Sequence, residues 1–383
     1  MRDAVIVEAV RTPVGKRNGG LAGVHPADLS AHVLRGLVER AGVDPALVED
    51  VVWGCVGQAG EQTFDIGRTA ALVAGFPETV TGVTVDRQCG SSQQSLHFAA
   101  AGVIAGQYDL VVAGGVESMS RVPMGTPATV GGNPMAARGW VERYGSDRIP
   151  NQGVGAEMIG EKWGISRAQC DEFALASHAK AAAAQDDGAF DGQLLPVDVD
   201  GTTVAADEGV RRGGTPESLG GLKTVFKEDG VVTAGNASQI SDGAAALLVT
   251  TSEKAAELGL TPIVRVHTAV LAGADPIMML TAPIPATAKA LSRSGLTIDQ
   301  IGAFEVNEAF ATVPLAWLAE VGADEKALNP LGGAIALGHP LGASGARIMT
   351  TLVHHMRANG IRYGLQTMCE GGGQANATVL ELL

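Results

Sequence analysis

The chain alternates short apolar runs with longer segments in which apolar residues recur at helical spacing. An apolar run at 83–85 is followed by the helix-spaced residues Leu96, Ala99 and Val103, and then by another run at 110–113. Short apolar runs separated by helical segments are typical of strands joined by crossover helices. The pattern therefore predicts an α/β fold, with a strand–helix–strand unit in this region.

The second half of the chain repeats this organisation. It contains a predicted strand at 301–306 and, after a helical segment, another at 363–368. From about 120 to 238, Gly, Pro and charged residues interrupt the pattern, and helical stretches stand only around 156–163 and 168–184. We therefore expect two similar α/β halves and a large insertion of the kind that builds substrate sites.

Composition and charge argue against several classes of protein. The 383 residues are 46% hydrophobic and 18% charged, as in a globular chain with a large core. A net charge of −14, with no basic run longer than Arg211-Arg212, argues against a nucleic-acid partner. No apolar stretch approaches the ~20 residues that span a bilayer. The first residues read as a strand rather than a signal peptide, so we expect a cytoplasmic protein with no membrane partner.

The four cysteines are Cys55, Cys89, Cys170 and Cys369, and none of them forms a CxxC pair. Zinc and redox-disulfide sites are therefore weak candidates, and a lone cysteine is most often a small buried hydrophobic residue. Cys89 differs because its segment, Asp-Arg-Gln-Cys-Gly-Ser-Ser, lies between a predicted strand and a predicted helix. The N–H groups and dipole of a helix start favour a thiolate and are expected to lower the Cys89 pKa.

Two further glycine-rich turns carry reactive side chains. His339 stands between Gly338 and Pro340, and Cys369 opens a Cys-Glu-Gly-Gly-Gly segment. An imidazole can take a proton from a thiol, and a second thiol can move a proton to and from carbon or sulfur. Asn307 could hold a water or polarise a carbonyl, but taken alone it reads better as a helix N-cap. GxGxxG and Walker patterns are absent, which leaves nucleotide-dependent chemistry unsupported.

Taken in order, these motifs resemble the thiolase family along the whole chain. The blocks that carry the resemblance lie at 11–13, 86–92, 114–120, 233–238, 241–245, 307–310, 332–340 and 369–373. The resemblance implies a duplicated five-layered α/β/α/β/α fold with an inserted loop domain. It also implies the domain bounds, namely 1–118 plus 239–261 for the first half, 119–238 for the loop domain and 262–383 for the second half.

The resemblance also implies roles for individual residues. Cys89, activated by His339, attacks the 3-keto carbon of a 3-ketoacyl-CoA. His339 and a water held by Asn307 stabilise the acetyl-CoA enolate, and Cys369 protonates its carbon. Coenzyme A then attacks the acyl-enzyme. The backbone N–H groups of Cys89 and Gly371 form the other oxyanion hole, since the two anions need separate donors.

Coenzyme A enters this scheme as a co-substrate, and the resemblance implies no permanently bound cofactor and no metal. The family's CoA site maps mainly onto the insertion. The residues implied to form it are Ala234 and Ser238 at the pantetheine, Arg211 or Arg212 at the adenine or phosphate end, and Phe310. By the same resemblance we expect a homodimer, or a homotetramer assembled through the region near 124–138.

Three positions depart from the family's pattern. Asn151-Gln152 stands where acetoacetyl-CoA-specific members carry His-Met, which indicates a roomier acyl pocket. Asn329-Pro330-Leu331 replaces Asn-x-Asn, and Gln239 replaces a small residue. The blocks look closest to degradative thiolases, including some bacterial steroid-degrading ones, so we expect thiolysis in fatty-acid or steroid side-chain degradation. The alternatives are a biosynthetic acetyl-CoA acetyltransferase and a non-catalytic acyl-CoA-binding protein.

Overall fold

A computed structural model of the chain describes residues 2–130 and 132–383. Strands and helices alternate in it, as the apolar pattern predicts. The strands are β1 (Val5–Arg11), β2 (Gly15–Lys16), β3 (Asp50–Gly54), β4 (Thr81–Val85), β5 (Leu110–Ser118), β6 (Val197–Val199), β7 (Thr202–Val204), β8 (Ser241–Thr250), β9 (Val264–Gly273), β10 (Ala303–Val306), β11 (Tyr363–Glu370) and β12 (Gln374–Leu382). The helices are α1 (Pro26–Ala41), α2 (Ile66–Val73), α3 (Ser91–Ala105), α4 (Thr126–Val130), α5 (Arg138–Tyr144), α6 (Gln152–Trp163), α7 (Arg167–Asp186), α8 (Pro216–Gly220), α9 (Ser252–Glu257), α10 (Pro283–Ser294), α11 (Thr312–Val321), α12 (Ala334–Leu337) and α13 (Leu341–Asn359).

The main sheet has two parts with the same topology. The first part has the order β1-β8-β5-β3-β4, in which β3 is parallel to β4 and β5, and β8 is antiparallel to β5 and β1. The second part has the order β9-β12-β11-β10, with β10 parallel to β11 and β12 antiparallel to β11 and β9. In the second part, Leu328 forms a parallel bridge with Phe304 of β10. It takes the place that β4 has beside β3 in the first part. A short pairing of β1 with β9 joins the two parts.

Five layers follow from how the helices pack on this sheet. Helices α1 and α2 cover the outer face of the first part, α10 covers the outer face of the second, and α3 packs against α13 between them. Leu96 of α3, Leu352 of α13 and Ala303 of β10 share one hydrophobic core in the middle layer. On the far side, Trp317 of α11 packs against Phe304 of β10. This arrangement confirms the predicted duplicated α/β/α/β/α fold.

The chain leaves the sheet after β5 and returns to it at β8. In between lie α4 to α8 and the small β6–β7 hairpin, with α6 packed on α11 and α7 packed on α12. The helices predicted at 156–163 and 168–184 are α6 and α7, and Ser166 begins α7 with a reciprocal capping box to Gln169. None of the helices in the described ranges has both the length and the hydropathy that a membrane crossing requires.

Candidate active site

Cys89 lies in a tight turn between β4 and α3. Gln88, just before it, adopts a left-handed backbone conformation with φ of 49°. The Ser91 hydroxyl donates to the Gln88 carbonyl at 2.6 Å and accepts from the Arg87 N–H at 2.9 Å. These bonds hold a non-glycine residue in a conformation that few side chains adopt, as is common at functional sites. Cys89 is thereby placed at the start of α3 with 3% of its surface exposed.

Close packing around this turn brings the two halves of the chain together. A Cβ on Gly54, at the end of β3, would stand 2.4 Å from the Ser92 nitrogen and 2.7 Å from the Gly342 carbonyl oxygen. A Cβ on Gly115 of β5 would stand 2.4 Å from the same Gly342 oxygen. Glycine alone fits at these two positions, so the first turns of α3 and α13 approach the same strand ends.

The surroundings of Cys89 favour its neutral thiol. Burial raises the pKa of Cys89 to about 12, and a negative charge on Glu370 or Glu117 adds to the rise. The backbone N–H groups of Cys89 and Gly371 oppose it. The predicted lowering of the pKa by the helix start is therefore wrong, because burial outweighs the helix N-terminus. A base is needed to ionise this thiol.

Cys369 lies near the end of β11, fully buried, in a hairpin with β12. The turn uses Gly372 and Gly373 with φ of 80° and 75°, a conformation that favours glycine. Burial raises the pKa of the Cys369 thiol well above its usual value, and the nearby Cys89 and Glu370 raise it further. The structure thus brings Cys89 close to Cys369 and the Gly371 N–H, which lie far from it in the sequence.

His339 lies buried between α12 and α13. Its Nδ1 is 2.6 Å from the Ser344 hydroxyl, and that hydroxyl donates to the Pro340 carbonyl at 2.8 Å. Because a hydroxyl has one proton, Nδ1 carries the hydrogen of the first bond and Nε2 carries a lone pair. Burial, with the nearby Arg347 guanidinium, lowers the pKa of His339 to about 3. The site therefore holds a neutral imidazole whose Nε2 can act as a base.

Asn307 follows β10 and reaches His339. Its Nδ2 is 3.4 Å from the Nε2 of His339, and its Oδ1 has no hydrogen-bond partner among the described residues. Helix α11 begins at Thr312, so Asn307 is not its N-cap. The N-cap interpretation of Asn307 is therefore wrong, and its Oδ1 can accept a hydrogen bond from a water.

Glu308 fixes the segment that carries Asn307. Its buried carboxylate accepts from the Asn329 Nδ2 at 2.8 Å and from the Ile335 N–H at 3.1 Å. Asn329 also pairs with both backbone groups of Val306, each at 2.9 Å. Asn329 thus holds the end of β10 in place. It belongs to the segment Asn329-Pro330-Leu331, which departs from the family's sequence pattern.

Glu117 joins the two halves, and the sequence analysis missed its role. Its carboxylate accepts from the N–H groups of Val56 at 3.0 Å, Gly57 at 2.9 Å and Gly342 at 2.8 Å. The signal in the sequence is one acidic residue inside the otherwise apolar run that becomes β5. Because Gly342 belongs to α13, this carboxylate helps to fix the helix that follows His339.

A cavity of about 850 Å³ opens at Cys89 and Gly371. Of the Asn151-Gln152 pair, Gln152 lines the cavity, whereas the Asn151 side chain caps α6. Most of the other lining side chains are apolar, and four of the chain's 10 methionines are among them. The large apolar residues of the wall include Met119, Met124, Met135, Met279, Trp140 and Ile149.

A second groove of about 420 Å³ lies beside α7 and contains both candidate arginines. Arg212 is engaged with Asp186 at 2.7 Å. Arg211 has no ion-pair partner in the part of the chain that the structure describes. Its backbone N–H, not its guanidinium group, donates to His178 Nδ1 at 3.1 Å. Arg211 is therefore the cation that remains available to an anionic ligand.

The other predicted CoA residues lie on a strip between this groove and Asn307. Ala234 is exposed next to Gly235, which lines the groove. The Ser238 N–H donates to the Ala309 carbonyl at 2.9 Å, and Phe310 follows that residue. Within the described ranges, no cluster of His, Cys, Asp and Glu could hold a metal ion.

The fold and the site define an α/β protein of two matched halves, with two thiols and an imidazole where the halves meet. Residues 4–253 match the thiolase N-terminal domain, and residues 260–382 match the thiolase C-terminal domain. The chain belongs to the thiolase family, which confirms the resemblance seen in the sequence.

Relatives and a solved structure match the chain over its full length. The steroid 3-ketoacyl-CoA thiolase FadA6 of Mycobacterium tuberculosis is 48% identical over 389 residues, which cover 100% of this chain and 95% of the relative. A 3-ketoacyl-CoA thiolase of Vibrio vulnificus is 46% identical over 393 residues, which cover 100% of both. The acetyl-CoA acetyltransferase of Bacillus anthracis matches with a TM-score of 0.91 and 38% identity, over 100% of this chain and 99% of that one.

Proposed function

We propose that the chain catalyses the CoA-dependent thiolysis of a 3-ketoacyl-CoA to a shortened acyl-CoA and acetyl-CoA (or propionyl-CoA). The relatives named 3-ketoacyl-CoA thiolase support this reaction. The observation that carries the proposal is the meeting of the two thiols with the Gly371 N–H. The His339–Asn307 pair lies on the adjacent strand end, where the Asn307 N–H donates to the Thr367 carbonyl of β11 at 3.1 Å. Such a set supplies a nucleophile, a base, an acid that can protonate a carbon atom, and two groups of oxyanion donors.

The first half-reaction begins with proton transfer. Nε2 of His339 takes the proton of the Cys89 thiol, and the thiolate attacks the C3 carbonyl of the substrate. The N–H groups of Cys89 and Gly371, which already lower the pKa of that thiol, stabilise the tetrahedral oxyanion. The C2–C3 bond then breaks and leaves an acyl thioester on Cys89 and the enolate of acetyl-CoA.

The enolate needs donors of its own. The imidazolium of His339 and a water on the Asn307 amide stabilise its oxygen, and Cys369 donates a proton to its carbon. The Cys369 thiolate next takes the proton of the incoming CoA, whose sulfur attacks the acyl thioester. Cys89 leaves as a thiolate and regains its proton from His339, so the cycle closes without any other reagent.

Coenzyme A binds along the strip that connects the second groove with Asn307. Arg211 supports this role because, of the two candidate arginines, it is the one without an ion-pair partner among the described residues, and guanidinium groups pair well with phosphate. Ala234 and Ser238 face the pantetheine, with Phe310 beside them. A local cation of this kind reconciles the net charge of −14 with an anionic substrate.

The cavity at Cys89 receives the acyl group. Its volume of about 850 Å³ lies in the upper part of the usual range for ligand pockets, roughly 300–1,000 Å³. Methionine side chains adapt to irregular apolar shapes, and four of them line the cavity. These features favour long or ring-bearing acyl groups, and hence degradative thiolysis over acetyl-CoA condensation. The alternative of a biosynthetic acetyltransferase is supported by the name of the Bacillus anthracis protein.

A substrate panel with free CoA tests this assignment. We expect kcat/KM to be higher for long-chain and ring-bearing 3-ketoacyl-CoA substrates than for acetoacetyl-CoA. Gln152→Trp, which fills the cavity, should lower kcat/KM for the bulky substrates and spare acetoacetyl-CoA. Val154→Trp is the matched control, because Val154 lies on the same helix with its side chain exposed. Activity confined to acetoacetyl-CoA would favour the biosynthetic enzyme, and binding without turnover would favour the non-catalytic protein.

A cytoplasmic homodimer is the state that we propose for this enzyme. β4 is an end strand of the sheet, and nearby apolar side chains are exposed, with Phe64 at 95% and Val83 at 43%. Exposed edge strands with apolar neighbours are suited to pairing with another chain. Light scattering should give a dimer that Val83→Lys converts to a monomer. The tetramer contact proposed near 124–138 includes Gly131, which lies outside the described residues.

A further inference from the structure

Glu370 is a buried carboxyl group that the reaction above does not use. It ends β11 directly after Cys369, and none of its surface is exposed. Its Oε1 accepts from the Asn376 N–H at 2.9 Å, whereas its Oε2 has no hydrogen-bond partner among the described residues. Arg87, the nearby cation, donates to Gln374 at 2.9 Å. An ionised carboxylate with a single donor is costly in such a place.

A second oxygen without a donor lies beside this carboxyl group. Asn376 directs its Nδ2 toward Gln94 Oε1 at 3.1 Å and His97 Nδ1 at 3.0 Å. Its Oδ1 therefore has no partner in the described ranges. A Cβ on Gly90 would stand 2.8 Å from this oxygen and 2.0 Å from Oε1 of Glu370, so both oxygens face the start of α3. The region thus offers buried acceptors but few donors, and a proton on Glu370 would remove the charge that the surroundings leave poorly compensated.

We propose that Glu370 is a protonated, neutral carboxylic acid, and that its neutrality keeps the two active-site thiols reactive. Glu370 is a positioning residue, because it packs against the turn that carries Cys89 and contacts no reacting atom. Its effect on thiolysis rests on the function proposed above. Its protonation state follows from the hydrogen-bond geometry and does not depend on that function.

The neighbouring charges explain why a neutral Glu370 matters. A negative charge on Glu370 raises the pKa of both Cys89 and Cys369, and it opposes any anion formed between them. The titratable and charged groups that face this region are Arg87 and Cys89 in the turn, His97 on α3, Glu117 on β5 and Cys369 on β11. Arg87 is the one cation of this set, because burial lowers the pKa of His97 to about 3 and so keeps its imidazole neutral.

The sign of the pH dependence follows from these surroundings. Burial raises the pKa of Glu370 to about 8, and Arg87 and the Asn376 N–H offset part of that rise. Below this pKa the group is neutral and does not oppose the thiolates. Above it the group ionises, so kcat/KM for thiolysis should fall on the alkaline side.

Glu370→Gln keeps the size of the side chain and the acceptor for the Asn376 N–H but cannot ionise. We expect the alkaline fall of kcat/KM to disappear or move to higher pH in this variant, with activity at neutral pH close to that of the wild type. Iodoacetamide labelling of Cys89 is followed by mass spectrometry in the absence of acyl-CoA. At alkaline pH it should be about tenfold faster in Glu370→Gln than in the wild type. That factor corresponds to about one unit in the thiol pKa. Infrared difference spectra at neutral pH should show a protonated carboxyl band that the variant lacks.

Glu305→Gln is the matched control. Glu305 is also buried with its pKa raised to about 8, but it lies near Arg347 and is not among the charges that act on Cys89. Its substitution should leave the alkaline fall and the labelling rate unchanged. Glu370→Met, which removes the charge together with the polar atoms, should act in the same direction as Glu370→Gln.

Three results together would overturn the proposal: an unchanged alkaline fall, an unchanged labelling rate and no carboxyl band lost in either Glu370 variant. The infrared and labelling measurements do not require turnover. If both behave as expected in a protein without thiolase activity, the proposed function fails and the protonation of Glu370 stands.

Discussion

The first turns of α3 and α13 occupy matched places in the two halves, yet they carry different chemistry. Helix α3 begins two residues after Cys89, and the left-handed backbone of Gln88 and the Ser91 hydroxyl hold that turn in place. Helix α13 begins two residues after His339, whose ring is oriented by Ser344. Contacts at Gly54 and Gly115 hold both turns against the same strand ends. One position of the fold, used twice, thus carries the proposed nucleophile in one half and its proposed base in the other.

The ends of β5 and β11 offer a second comparison, because each of these matched strands ends near a buried glutamate. Glu117 receives five hydrogen bonds, from three backbone N–H groups, the Gln62 side chain and the Cys55 thiol. Glu370 receives one, from Asn376. The number of donors distinguishes a carboxylate that ties segments together from a carboxylic acid that needs its own proton.

The largest effect is expected at the nucleophile. Cys89→Ser should lower kcat for thiolysis by at least about 10³-fold, because a serine hydroxyl is a far weaker nucleophile than a thiolate here. Circular dichroism and acyl-CoA binding should stay close to those of the wild type. Activity equal to that of the wild type in this variant would show that the two helix starts do not divide the chemistry as described.

A smaller effect is expected at the residue that orients the base. Ser344→Ala removes the acceptor of the His339 Nδ1 hydrogen and should lower kcat/KM roughly 10- to 100-fold, part of what a general base contributes. Ser344→Thr retains the hydroxyl and should restore much of the activity. Steady-state kinetics across pH, with thermal melting as a control for folding, checks this comparison. Equal losses in both variants would assign Ser344 a packing role only.

The smallest effect is expected in the second groove. Arg211→Ala should raise the KM for CoA about two- to fivefold, as for an exposed ion pair of up to about 1 kcal/mol. Arg212→Ala is the matched control and should leave the KM for CoA unchanged, because that side chain is engaged with Asp186. Initial rates at varied CoA concentration measure both. A larger effect in the Arg212 variant would reverse the assignment of the two arginines.

The elements that could be predicted from the sequence are those set by local pattern. Apolar runs at 83–85 and 301–306 marked β4 and β10, because short apolar runs bounded by turn residues are a local signal for strands. Cys89, His339 and Cys369 stood out because glycine-rich turns at strand and helix ends are where ligands approach the backbone. The family resemblance supplied the roles that are proposed for Asn307 and the CoA residues.

The elements that could not be predicted depend on contacts between distant segments. The pKa of Cys89 is raised because the whole fold buries it, which no local pattern records. Glu370 adjoins Cys369 in sequence, but its contact with Gly90 joins two segments far apart in the chain. Asn151 and Gln152 are neighbours in sequence, yet one caps a helix and the other lines the cavity.

The central claim is that Cys89, and not Cys369, carries the acyl group. The direct test mixes the protein with a 3-ketoacyl-CoA without free CoA, stops the reaction with acid and locates the added mass by peptide mass spectrometry. The account predicts the shortened acyl group on the Cys89 peptide, and its loss in Cys89→Ser. An acyl group on Cys369, or acyl-CoA cleavage with no acylated peptide at any time, would contradict it.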